Sequence, residues 1–231
     1  MSHLVNTLFD RMDTWRHLPS YQLERRADLF FSLYLKEVLQ VKLGYPLANL
    51  MIPEFPIRKG VVDLQLPQKE HNQSFKIDYL LFNESFEKAI FVELKTDNSS
   101  RRTAQDIYLT QAQNTPFPLL VQGVLQLFQA TSAKHKYFEL LKVLAETQQI
   151  DIDYKRHPLP ISFRNIQNIT LTSKVKQSLK IYIQPNGLGE DIINFVEFSQ
   201  IVQKHNDPLS QRFAQSLAEW STVLAGHRHD G

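Results

Sequence analysis

The chain has 231 residues, 42% of them hydrophobic and 11% aromatic, enough for one elaborated domain spanning residues 1–231 to bury a full core. Lys and Arg number 26 against 24 Asp and Glu, a formal charge of +2 that excludes nucleic-acid binding by bulk charge alone, so any such contact needs local patches. The absence of cysteine excludes disulfides, thiolate zinc sites and a cysteine nucleophile. The N-terminal stretch carries Asp10, Arg11, Asp13 and Arg16, unlike a signal peptide, and no run reaches the roughly 18 apolar residues of a membrane span. A cytoplasmic protein without membrane contact is the expectation.

Leu4, Val5, Leu8, Phe9, Met12 and Trp15 recur at helical spacing, and Pro19 with Ser20 stops that helix and offers an N-cap for the next. From Tyr21 to about Leu43 a second helix is marked by Leu23, Ala27, Phe30, Phe31, Tyr34, Val38 and Val41, ending at Gly44, Tyr45 and Pro46. Pro53, Pro56, Gly60 and Pro67 then exclude a long helix, while FPIR and VVDLQL read as short strands. SFKIDYLLF and AIFVELK, separated by NESFEK, read as a hairpin with a loop longer than a tight turn.

After Lys95, the segment TDNSS leads into RRTAQDIYLTQAQ, where Ala104, Ile107, Tyr108 and Ala112 suit a helix that Thr115 to Pro118 breaks. LLVQGVLQLFQA and HKYFELLKVLAE suit further helices, HPLPISFRNIQNITLT is irregular or extended, and LKIYIQP is a strand candidate. Helices from Asp191 to Lys204 and from Leu209 to Leu224 complete a mixed α/β pattern, with no internal repeat.

Side chains alternate along a strand, so Glu93 and Lys95 share a face with Phe91, while Ile90, Val92 and Leu94 take the other. If the hairpin is symmetric about the Ser85–Phe86 bond, the partner of residue i is 171 minus i, which sets Asp78 opposite Glu93. Directly opposed Cβ atoms lie about 4.5 to 5.5 Å apart. Two such carboxylates repel unless a cation lies between them, and Mg2+ takes hard oxygen ligands and can activate a water while polarising a phosphoryl oxygen. Lys95 would then stabilise charge developing on the phosphate.

An Asp, a hairpin turn and Glu-x-Lys in an apolar strand, here Ile77-Asp78 and Glu93-Leu94-Lys95, resemble the PD-(D/E)XK, or restriction-endonuclease-like, nuclease superfamily. The resemblance implies that Asp78 and Glu93 hold Mg2+, or Mn2+ in its place, that the Leu94 backbone carbonyl adds a ligand, and that Lys95 assists the attacking water. It implies a mixed central sheet flanked by helices. The core would run over about 21–120 plus a strand near 179–185, with helical additions at 1–18, 119–148 and 190–225. Many members carry a Glu on the leading helix, for which Glu24 is the first choice and Glu37 the second. On the crossover helix, Arg101, Gln105 and Tyr108, with Gln111 three residues on, would face phosphate. The motif's Pro is Ile77 here.

Other residues have plainer readings. Asp63 is a rival acid but lies outside the hairpin; the histidines show no paired metal spacing; Lys134 with Lys136, Lys155 with Arg156, and Lys174, Lys176 and Lys180 read as solvated surface. No Walker-type or dinucleotide glycine loop is present. The expectation is a metal-dependent phosphodiesterase acting on nucleic acid, DNA ahead of RNA, leaving a 3′-hydroxyl and a 5′-phosphate. The alternatives are a catalytically silent module of the same fold that binds nucleic acid or protein, and an unrelated domain whose hairpin charges only solubilise it. A homodimer fits the pairing by which restriction-like nucleases cut two strands.

Overall fold

The computed structural model describes residues 2–97, 103–152 and 169–222. In chain order these form α1 (Ser2–Trp15), α2 (Glu24–Leu43), β1 (Leu47–Arg58), α3 (Lys59–Val62), β2 (Ser74–Asn83), β3 (Lys88–Leu94), α4 (Thr103–Asn114), α5 (Phe117–Ala130), α6 (Lys134–Glu146), β4 (Ile150–Ile152), β5 (Ile169–Leu171), β6 (Gln177–Gln184), β7 (Ile192–Asn194), α7 (Phe195–Val202) and α8 (Pro208–Ser221). The fold is α/β, with a five-stranded sheet in the order β1-β2-β3-β6-β7 flanked by helices, and β4 paired separately with β5. No helix among the described residues is long and apolar enough to cross a membrane.

The sheet is mixed. β1, β2 and β3 pair antiparallel, and β6 with β7 parallel. β6 runs in the same sense as β3: Lys176 N–H donates to Glu87 O near the start of both strands, and Lys95 N–H donates to Ile183 O, 2.8 Å, at their far ends.

The chain divides into two compact units that interleave in sequence: residues 1–45, 94–102 and 181–231 form one, and 46–93 with 103–180 the other. The first is a helical assembly around an aromatic core, in which the Phe31 ring meets those of Phe195, Phe198 and Phe213 at 5.4, 5.1 and 5.2 Å. Asp13 of α1 ties this unit together, accepting hydrogen bonds from the Trp220 indole at 2.7 Å and from Arg212 at 2.5 Å. The second unit holds the β1-β2-β3 meander with α3 to α6. There the Phe117 ring collects Phe55, Phe82 and Phe91 at 6.2, 5.6 and 6.2 Å.

Several expectations are corrected. Ser20 is not a helix cap: it adopts a left-handed φ of 62°, and α2 begins three residues after Tyr21, with Leu23 O receiving the Arg26 and Ala27 N–H groups. Gly44 ends α2 as expected, at φ 74° with its N–H on Gln40 O. VVDLQL is not a strand. Val61 and Val62 close a short helical turn, Asp63 N–H returns to Lys59 O, and the Asp63 carboxylate accepts the Gln65 N–H, a local turn that competes with pairing.

The FPIR strand is longer than expected, reaching back to Leu47 through two prolines. β1 is an edge strand, where a proline costs no ladder bond on its open side. Residues 191–204 are not one helix, since Ile192–Asn194 first make a parallel strand against Tyr182–Gln184. Asn194 then caps α7 in a reciprocal box with Glu197. Among the described side chains of α4 the buried positions are Leu109 and Ala112, whereas Ile107 is exposed, and Ala104 lies outside them; on α2, Val41 is exposed.

Candidate functional site

The hairpin closes around Asn83, whose Oδ1 accepts the backbone N–H groups of Glu87 and Lys88 at 2.9 and 2.8 Å while Phe86 takes a left-handed φ of 55°. The turn fixes the register. Tyr79 pairs with Val92, Leu80 with Phe91, Leu81 with Ile90 and Phe82 with Ala89, so partner numbers sum to 171. One step further in this register stand Asp78 and Glu93.

Alternation then sorts the two faces. Asp78, Leu80 and Phe82 share one with Ala89, Phe91 and Glu93, and Phe117 at the start of α5 packs on the Phe82 and Phe91 rings of that face. The opposite face carries Ile77, Tyr79, Leu81, Ile90 and Val92, all buried. Burial lessens along the acid-bearing face of β2: Phe82 and Leu80 are fully covered, Asp78 is half-buried and Lys76 is exposed. Asp78 therefore stands where the covered face of β2 begins to open, whereas β3 stays covered through Glu93.

Glu93 is only 2% exposed, a depth at which a carboxylate requires a charged or hydrogen-bonded partner; neither it nor Asp78 is without one. Next to Asp78 the edge strand brings Glu54, which stands between the Pro53–Tyr79 and Phe55–Ile77 pairs with a left-handed φ of 51°. Its Oε2 accepts from Lys76 Nζ at 2.8 Å. Sequence reasoning missed Glu54 and Lys76. The available signal was the Lys76-x-Asp78 spacing, which puts both on one strand face, and the proline-flanked Glu54, which only a correctly extended β1 brings beside them.

In the first unit, Lys95 follows directly on β3, is 4% exposed and is not without a partner; its backbone N–H carries the ladder to Ile183. The Leu94 side chain is buried. Glu24 occupies the first turn of α2, half-buried, where a carboxylate complements the helix dipole. Glu37 is engaged elsewhere, its Oε2 hydrogen-bonded to His205 Nε2 at 2.8 Å.

The proposed phosphate-facing helix residues fare unequally. Arg101 lies outside the described residues, as does the side chain of Gln105 on α4. The Tyr108 ring stacks on Phe75 at 5.2 Å with Lys59 Nζ 5.7 Å from its centroid, so it is built into packing. Gln111 Oε1 is buried with no hydrogen-bond partner among the described residues. Of the surface lysines, Lys176 pairs with Glu87, Lys180 donates to Thr110 and Lys134 donates to the C-terminal carbonyls of α5.

No group of three or more His, Asp or Glu side chains among the described residues is arranged to hold a metal. The donor set of the hairpin is two carboxylates. That number suits a small hard cation that keeps several waters, and it is too few for an all-protein cage. No protein-family model, curated protein or solved structure gives a significant match to the chain.

Proposed function

We propose that this chain is a metal-dependent nuclease with a restriction-endonuclease-like core, hydrolysing phosphodiester bonds in nucleic acid, with DNA the first substrate to test. The observation that carries the reading is the hairpin register, which sets Asp78 and Glu93 side by side on one face. The order of elements supports it: a leading helix α2, the β1-β2-β3 meander, the crossover helix α4 and the later strand β6 in the sense of β3.

Asp78 and Glu93 would hold Mg2+, with the Leu94 carbonyl as a third donor. The ion would supply charge that polarises a phosphoryl oxygen and lowers the pKa of water. Lys95, two residues on from Glu93 along the same run of chain, donates to the phosphate as negative charge builds there. Its near-complete burial favours a role at a fixed atom over general charge attraction.

The test is cleavage of plasmid, linear duplex and single-stranded oligonucleotides with Mg2+, Mn2+ or EDTA, beside Asp78→Asn, Glu93→Gln and Lys95→Met proteins. Cleavage should need metal and fall at least about a hundredfold in each variant. A Mg2+-dependent rise in melting temperature should be present in the wild type and lost in Asp78→Asn. Equal cleavage by wild type and variants, or no Mg2+ binding and no cleavage by the wild type, would sink the reading. Binding of oligonucleotides without cleavage under any metal would favour the silent binding module.

A further inference from the structure

We propose that Lys76 is a phosphate-binding residue of the acid-bearing face, and that Glu54 occupies it until a nucleic-acid phosphate takes its place. The proposal rests on the nuclease reading of Asp78 and Glu93.

Lys76 and Asp78 lie two residues apart on β2 and so share a face, about 7 Å apart along the strand. A cation there would meet the phosphate next to one held at Asp78 and Glu93, since successive phosphates on one strand repeat at a comparable spacing. The side chain is accessible, with 60% of its surface exposed, and 62% of Glu54 is exposed. Glu54 holds it through one carboxylate oxygen, the same chemistry a phosphodiester oxygen offers.

The backbone around Glu54 is not what an ordinary strand pairing requires. A glutamate in the left-handed region is disfavoured, and an exposed ion pair offsets little of that cost. Pro56 falls at a position whose backbone faces away from β2, so its missing N–H blunts the open edge there and keeps another strand from covering the approach to Lys76. Lys76 faces Pro56 directly across the ladder and reaches Glu54 diagonally, so either partner change leaves the pairing of β1 with β2 intact.

The experiment is fluorescence anisotropy of labelled single- and double-stranded oligonucleotides against the full chain in Ca2+, which supports binding without turnover, over a range of salt. Lys76→Ala should weaken binding about five- to tenfold and reduce the slope of log K against log salt by about 0.7 to 0.9, one phosphate contact. Lys76→Arg should restore both. Glu54→Gln should tighten binding two- to fivefold, roughly the release of one competing charge. A structural role would shift melting temperature and leave the salt slope alone. If the wild type binds and cleaves while Lys76→Ala keeps the wild-type slope, the role of Lys76 is overturned and the nuclease reading stands. If the wild type neither binds nor cleaves any oligonucleotide, both fall.

Discussion

Asn83 and Lys88 bracket the hairpin loop, the Asn83 side-chain oxygen accepting the Lys88 backbone N–H at 2.8 Å beside that of Glu87 at 2.9 Å. Everything proposed for Asp78 and Glu93 depends on the register this closure sets, because a one-residue slip would turn one acid to the opposite face. Asn83→Ala removes both bonds and should cost about 1 to 2 kcal/mol in urea unfolding. Asn83→Asp, which keeps the acceptor, should cost less. Equal stability of the alanine variant and the wild type would show that the strands alone define the pairing.

Asp13 and Asp10 both contact Arg212 but should not matter equally. Asp13 is 17% exposed and also receives Trp220 and Ser216, whereas Asp10 is 67% exposed. Burial works against the charge of Arg212, and the hydrogen bonds it donates to the two carboxylates, with their negative charge, outweigh that cost and raise the guanidinium pKa above its ordinary value. Asp13→Ala should cost about 3 kcal/mol and alter tryptophan fluorescence. Asp10→Ala should cost under about 1 kcal/mol. Similar losses in denaturant titrations would overturn this division.

Asp207 caps α8, and hydrogen bonds from the Ser210 hydroxyl and backbone N–H hold its carboxyl below the usual value. A depressed carboxylate stabilises the fold above its unfolded pKa, and that contribution is lost as pH falls through the folded value. The wild type should lose melting temperature below about pH 4 more steeply than Asp207→Asn, which keeps a capping oxygen but does not titrate. Parallel curves would remove Asp207 from the acid response.

Phe117→Ala should cost about 3 to 5 kcal/mol, since its ring meets Phe55, Phe82 and Phe91, whereas Phe117→Leu should cost less than about 1.5. Calorimetric melting of the two variants would separate volume from ring geometry.

The hairpin was legible because its signals agree: alternation, β-branched content and a polar loop with Asn83 at its start all specify one register. β1 was not. Its prolines argue against a strand unless the strand is an edge, and edge position is a property of the sheet, invisible in a local window. Glu54 was therefore overlooked together with its partner Lys76. β7 was hidden inside an apolar run that fits a helix equally well, although Asn194 and Glu197 carry the spacing of a capping box that marks where the helix begins. The sequence ranked Glu37 behind Glu24 but could not show what engages it, because its partner His205 lies 168 residues away.

The interleaving of the two units bears on how the protein is made. The partners of Asp13 lie about 200 positions later, so the aromatic core of the first unit cannot close until α7 and α8 have been synthesised. At about 5 to 20 residues per second, α1 and α2 wait roughly nine seconds or more with their apolar stripes uncovered. Exposed apolar surface of that kind is what makes nascent chains aggregation-prone, and shortened versions ending before α8 would lack Phe213, whose ring meets both Phe9 and Phe31.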